Sequence, residues 1–122
     1  IDPAFVKEFQ LSTLAQDVPP GLVRNAVSES LKVPARVWRA AFEGFVNNDA
    51  SSDSGRVLAP TLIAWGECDS YANRSDQDAL LGAIRGSRLI IYEGAGHAFH
   101  WEDPAWFAAD LVAFVRELSQ AG

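Results

Sequence analysis

Two short apolar runs, separated by a segment of helix length, constrain this chain most. "RVLAPTLIAWG" (56–66) and "RLIIYEG" (88–94) lack the polar alternation of a half-exposed strand and read as strands covered on both faces. Pro60 falls near the start of the first run, where a missing N–H is tolerated. Between the runs, Ser75 with Asp78 three residues on predicts a capped helix to about Ile84, stopped by Gly86. Beyond the second run, Asp103 and Pro104 open a helix whose apolar positions are Phe107, Leu111, Phe114 and Leu118. Strand, helix, strand, helix in that order predicts parallel strands in an α/β sheet. Ligands of open parallel sheets bind beyond the carboxyl ends of the strands. The loops that follow the two runs are therefore where chemistry is expected.

Upstream the pattern is helical. Asp2 and Pro3 predict a short helix carrying Phe5, Val6 and Phe9. The pair Pro19-Pro20 ends that segment, and a second helix runs from Gly21 to about Leu31. Pro34 starts a third, on which Val37, Ala41 and Phe45 recur every fourth residue, with Trp38 and Phe42 beside them. The polar, glycine-ended stretch "NNDASSDSG" (47–55) reads as a loop. It is the best boundary between a helical segment, 1–52, and an α/β part, 53–122.

The loop after the first run carries Asp69 and the loop after the second carries His97. Neighbouring strands lie about 5 Å apart, or double that if another strand intervenes, so a hydrogen bond between the two groups is within reach. Imidazole can take and return a proton at neutral pH, and works best when a carboxylate fixes its tautomer. Gly94 and Gly96 give the backbone freedom to turn and leave His97 uncrowded. The bland alternatives stand beside this: a loop histidine satisfied by backbone groups, and a turn-forming aspartate. Glu67 competes for the acid role, whereas Asp76 and Asp78 fit better as first-turn helix charges. His97 and His100 are spaced H-x-x-H, with Glu102 and Asp103 close by, which invites a metal site. Metal-binding pairs sit one turn apart on a helix, and this stretch reads as loop, so the metal reading is the weaker one. His100 and Trp101 are expected to pack under the loop and hold His97. Cys68 reads as a small buried residue rather than a nucleophile.

"PTLIAWGECDSY" and "GAGHAFHWEDPAWFAADLVAFV" resemble the carboxy-terminal part of an α/β-hydrolase. In that family a strand ending in G-x-x-D supplies the triad acid, a later G-x-G-H the base, and E-x-P opens the last helix. The resemblance covers roughly residues 56–120. It places the acid at Asp69, with Glu67 short of the motif position, the base at His97, and the helix start at Glu102 to Pro104. It implies the βαβα end of the hydrolase sheet preceded by a helical cap, in which Trp38, Phe42 and Phe45 could line an apolar substrate pocket. It implies no metal and no organic cofactor. The nucleophile elbow G-x-S-x-G does not occur in these 122 residues. The function implied is therefore hydrolysis of an ester, amide or related bond of a small molecule by a parent enzyme, this chain alone being inactive. A non-catalytic binding or assembly module, or a hydrolase relative without a nucleophile, is the alternative.

Composition narrows the partners. A net charge of -6, spread evenly, argues against a nucleic-acid surface. The single cysteine fits a reducing compartment, and no apolar stretch or leader pattern suggests a membrane or export, so the expectation is a cytoplasmic protein. The chain contains no methionine and opens on Ile1, so it is expected to be part of something longer. Two parallel strands also need neighbours, which predicts a homo-oligomer or association with the missing half.

Overall fold

The computed structural model describes residues 1–47 and 51–121. Helix α1 (Pro3–Ser12) begins as its sequence dictates: the Asp2 carboxylate accepts from the Ala4 amide at 2.9 Å, and Pro3 has no amide to leave unpaired. Helix α2 (Pro20–Leu31) starts at the second of the paired prolines and α3 (Ala35–Asn47) directly after Pro34. The Gln10 side chain donates to Ser30 Oγ at 2.9 Å, joining α1 to α2. Trp38 on α3 meets Phe9 of α1 edge-on with ring centres 5.7 Å apart. Val6, fully buried, anchors α1.

The stretch expected as loop at 47–55 contains a turn of helix, α4 (Ser51–Ser54); the rest of that expectation, at 48–50, lies outside the described residues. The first strand is also shorter than its apolar run. Strand β1 is Leu62–Gly66, because Arg56 and Val57 donate back into the α4 turn and Pro60 has no N–H for a ladder. Leu58 is 95% exposed, well off any sheet. Strand β2 (Arg88–Tyr92) pairs directly with β1, in parallel, from Leu62 opposite Arg88 to Gly66 opposite Tyr92. Both strands therefore end level, and their loops leave from one edge.

The crossover helix α5 (Arg74–Ala83) is capped two residues before the expected box. Asn73 and Asp76 form the reciprocal cap, while Asp78 pairs with Arg74 one turn back. Gly86, at φ +75°, turns the chain into β2. A short helix, α6 (Phe99–Glu102), occupies the stretch expected as loop, and α7 (Pro104–Ala121) follows. Tyr92 docks α7. Its ring is 2% exposed, stacks on Phe99 at 4.6 Å and meets Trp106 edge-on at 4.8 Å. Its hydroxyl donates to Asp110 at 3.0 Å. Burial first, and the Asp110 carboxylate second, push the Tyr92 phenol up to about 12. Among the described residues no helix is long and apolar enough to cross a membrane.

Candidate active site

The loop after β1 is wound around Asp69. Its Oδ1 accepts from the amides of Tyr71 at 2.7 Å and Ala72 at 3.1 Å, while the Asp69 amide donates to Gly66. That leaves Oδ2 for His97 Nδ1, 2.9 Å away. The aspartate side chain is 5% exposed and the histidine side chain 50% exposed, so the acid is inside and the base faces out. Burial pushes the Asp69 carboxyl up. The Tyr71 amide, the His97 ring and the Ala72 amide together outweigh burial and hold it below its ordinary value. Asp69 is thus an anion at neutral pH.

The His97 loop is fixed by carboxylates and by close backbone approach. Glu67, the competing acid, is occupied elsewhere: its Oε2 accepts from the Gly94 amide at 3.0 Å. Gly94 sits at φ +69°, a conformation that favours glycine. Gly66 and Gly96 serve another purpose. A Cβ on Gly66 would lie 2.1 Å from the Gly96 carbonyl oxygen, and one on Gly96 would lie 2.6 Å from the Ala15 nitrogen. These glycines let three chain segments touch. The third segment is the tail of α1: Ala98 donates to the Thr13 carbonyl at 2.9 Å, and Gln16 Nε2 to the Gly94 carbonyl at 3.1 Å.

Glu102 closes this arrangement. One of its oxygens accepts from the Gly96 amide at 2.8 Å; the other accepts from the amides of Ala15 and Gln16. Sequence reasoning placed Glu102 at a helix start and beside the weaker metal reading, but not in this role, because its partners are backbone amides, two of them far away in the chain. His100 meets Phe99 and Trp101 edge-on, and burial, then the neighbouring His97, hold its imidazole below the ordinary range. Cys68, expected to be buried, is exposed; it enters the loop geometry through its amide, which donates to Ala95. Among the described residues no three metal-ligating side chains converge.

Above His97 lies a cavity of about 700 Å³. Trp38, Phe42 and Phe45 all line it, together with Phe5, Phe9 and Tyr71. Tyr71 had no signal of its own in the sequence beyond its place two residues after Asp69. Its ring meets the His97 ring edge-on at 5.3 Å, and its hydroxyl pairs with Ser12 Oγ. Among the described residues Nε2 of His97 makes no hydrogen bond. The arrangement is that of an imidazole, backed by a carboxylate, at the foot of an apolar cavity.

Level parallel strands with a carboxylate and an imidazole on their two loops fit a partial α/β-hydrolase fold, and the comparison with known proteins agrees on the fold. The sequence model of the Alpha/beta hydrolase family matches residues 2–110, and the chain belongs to that family. It is similar to the monoacylglycerol lipase abhd6-A of Xenopus laevis, 29% identical over 110 residues, covering 86% of this chain and 31% of that protein. It is also similar to a 2-hydroxy-6-oxononadienedioate/2-hydroxy-6-oxononatrienedioate hydrolase of Klebsiella pneumoniae. There the identity is 44% over 61 residues, covering 50% of this chain and 21% of the relative. Among solved structures, an esterase from Exiguobacterium antarcticum superposes with a TM-score of 0.88 at 22% identity, covering 93% of this chain and 42% of that one. The chain thus spans 31% of the length of the lipase relative and less than half of the esterase.

Proposed function

We propose that the chain supplies the acid and base of a hydrolytic triad, acting on an ester or related bond of a small apolar substrate. The single observation that carries this reading is the 2.9 Å contact between Asp69 and His97 Nδ1 at the foot of the apolar cavity. With Nδ1 donating to Asp69, Nε2 presents a lone pair. It takes the proton of the attacking hydroxyl or water and returns it to the leaving alkoxide. Asp69 stays ionised and stabilises the imidazolium between those two transfers. The nucleophile comes from outside these 122 residues, in which no G-x-S-x-G occurs. The kinship with proteins described as a lipase, an esterase and a hydrolase supports bond hydrolysis as the reaction class.

The test uses the protein expressed from its own start codon, with whatever precedes Ile1 present, on a 4-nitrophenyl ester. His97→Ala is expected to lower kcat/KM by at least about 10³-fold and Asp69→Asn by up to about 10⁴-fold. Unchanged hydrolysis with His97→Ala would overturn the reading. The second reading, an assembly module, draws support from the apolar side chains that α7 leaves exposed, among them Leu111, Val112 and Val115.

A further inference from the structure

We infer that Glu102 is a positioning residue for His97: its carboxylate, set between two groups of backbone amides, fixes the imidazole opposite Asp69. The inference rests on the hydrolytic reading above and adds a residue to that same site. The imidazole is half exposed, and Asp69 holds it through Nδ1. Where the ring points therefore depends on the backbone beneath it. That backbone is tied on both sides of His97 to one segment, the tail of α1. On the far side the Ala98 amide donates directly to the Thr13 carbonyl at 2.9 Å.

The near side cannot be tied directly. Gly96 packs so closely on the α1 tail that a Cβ built on it would lie 2.6 Å from the Ala15 nitrogen. The groups to be joined there are the amides of Gly96, Ala15 and Gln16, and donors do not pair with donors. Glu102 resolves the conflict. One oxygen accepts from Gly96 at 2.8 Å; the other accepts from Gln16 at 3.1 Å and from Ala15. A carboxylate offers two acceptor oxygens and no donor, whereas a glutamine of the same shape offers one oxygen and an NH2 group. Whichever way that amide is turned, its NH2 faces Gly96 or the Ala15–Gln16 pair. Aspartate keeps both oxygens but is one methylene short of the span. Glu102 lies off the cavity wall, so it acts through the loop and not on a ligand.

The test uses the protein expressed from its own start codon, with two readouts. Nitrogen-15 spectra of the imidazole, assigned with His97→Ala, are expected to show the Nδ1–H tautomer in the unaltered protein and a mixture in Glu102→Gln, as the ring slips from Asp69. Hydrolysis of the 4-nitrophenyl ester is expected to lose about 10- to 100-fold in kcat with KM within about threefold, the cost of displacing a reacting group by about 1 Å. Should Glu102→Gln not fold, Glu102→Asp carries the same two expectations. Tyr92→Phe removes the buried bond to Asp110 and controls for lost stability alone. It is expected to lower the urea midpoint and leave the tautomer and kcat as they are. An unchanged tautomer in the Glu102 variant, a loss carried by KM alone, or the same tautomer mixture in Tyr92→Phe would each overturn the inference. Normal hydrolysis by His97→Ala would instead sink the hydrolytic reading, and the tautomer comparison would still decide whether Glu102 positions the ring.

Discussion

Asp69 divides its two oxygens between two tasks: Oδ1 winds the loop through two amides, and Oδ2 holds His97. Both tasks favour the anion, and its carboxyl is held below the ordinary value. The sign of the linkage follows. A carboxyl whose folded value lies below its unfolded value, about 3.9, stabilises the fold above that pH and loses the contribution as pH falls through the folded value. The stability gap between the unaltered chain and Asp69→Asn, from urea unfolding, is therefore expected to be largest near neutrality and to close below about pH 4. A gap independent of pH would contradict the account. At this scale the positions of Asp69 and His97 were legible, because strand ends and short glycine loops fix where the next side chain falls. Glu102 was not. It binds backbone amides of Gly96, Ala15 and Gln16, and an amide carries no identity in a sequence.

At the scale of elements, glycine contacts decide how closely the β1 loop, the β2 loop and the α1 tail approach. Added methyl groups on Gly66 and Gly96 meet backbone at 2.1 and 2.6 Å, whereas one on Gly82 of α5 meets nothing within 4 Å. Gly66→Ala and Gly96→Ala are each expected to cost about 2–4 kcal/mol in denaturant unfolding. Gly82→Ala is expected to be neutral or to stabilise by up to about 1 kcal/mol. Similar effects at all three positions would contradict the packing described. The elements themselves were largely legible, because apolar runs and prolines announce strands and helix starts. Their edges were less so. The string "NRSDQD" holds two overlapping capping patterns, and the Asp69 turn, which takes the Tyr71 and Ala72 amides, delivers the chain to the earlier one. Strand β1 shrank because the Arg56 and Val57 amides close the α4 turn, a contact that hydropathy does not report.

The whole molecule exposes more surface than its mass predicts. A compact monomer of 13.2 kDa has about 6,400 Å² of accessible surface. This chain has 8462 Å². The difference is apolar in part: among the described residues β1 and β2 pair only with each other, and Leu58, Leu111, Val115 and Leu118 face outward. The 122-residue chain alone is expected to self-associate, or to bury this surface against further sequence when that is present. Light scattering after size-exclusion chromatography is the check; a monomer that unfolds cooperatively would contradict the expectation. The need for neighbours was readable in the strand count, but the surface that meets them was not, since it depends on how α7 seats on Tyr92.

The central claim is that Asp69 holds His97 as a base with its outer nitrogen free, and one measurement addresses it without turnover. Nitrogen-15 spectra of the imidazole, assigned with His97→Ala, report which ring nitrogen carries the proton when the ring is neutral. The account predicts the proton on Nδ1, toward Asp69, and a mixture of tautomers once Asp69→Asn removes the carboxylate. A neutral His97 protonated on Nε2, or a tautomer indifferent to Asp69→Asn, would contradict it.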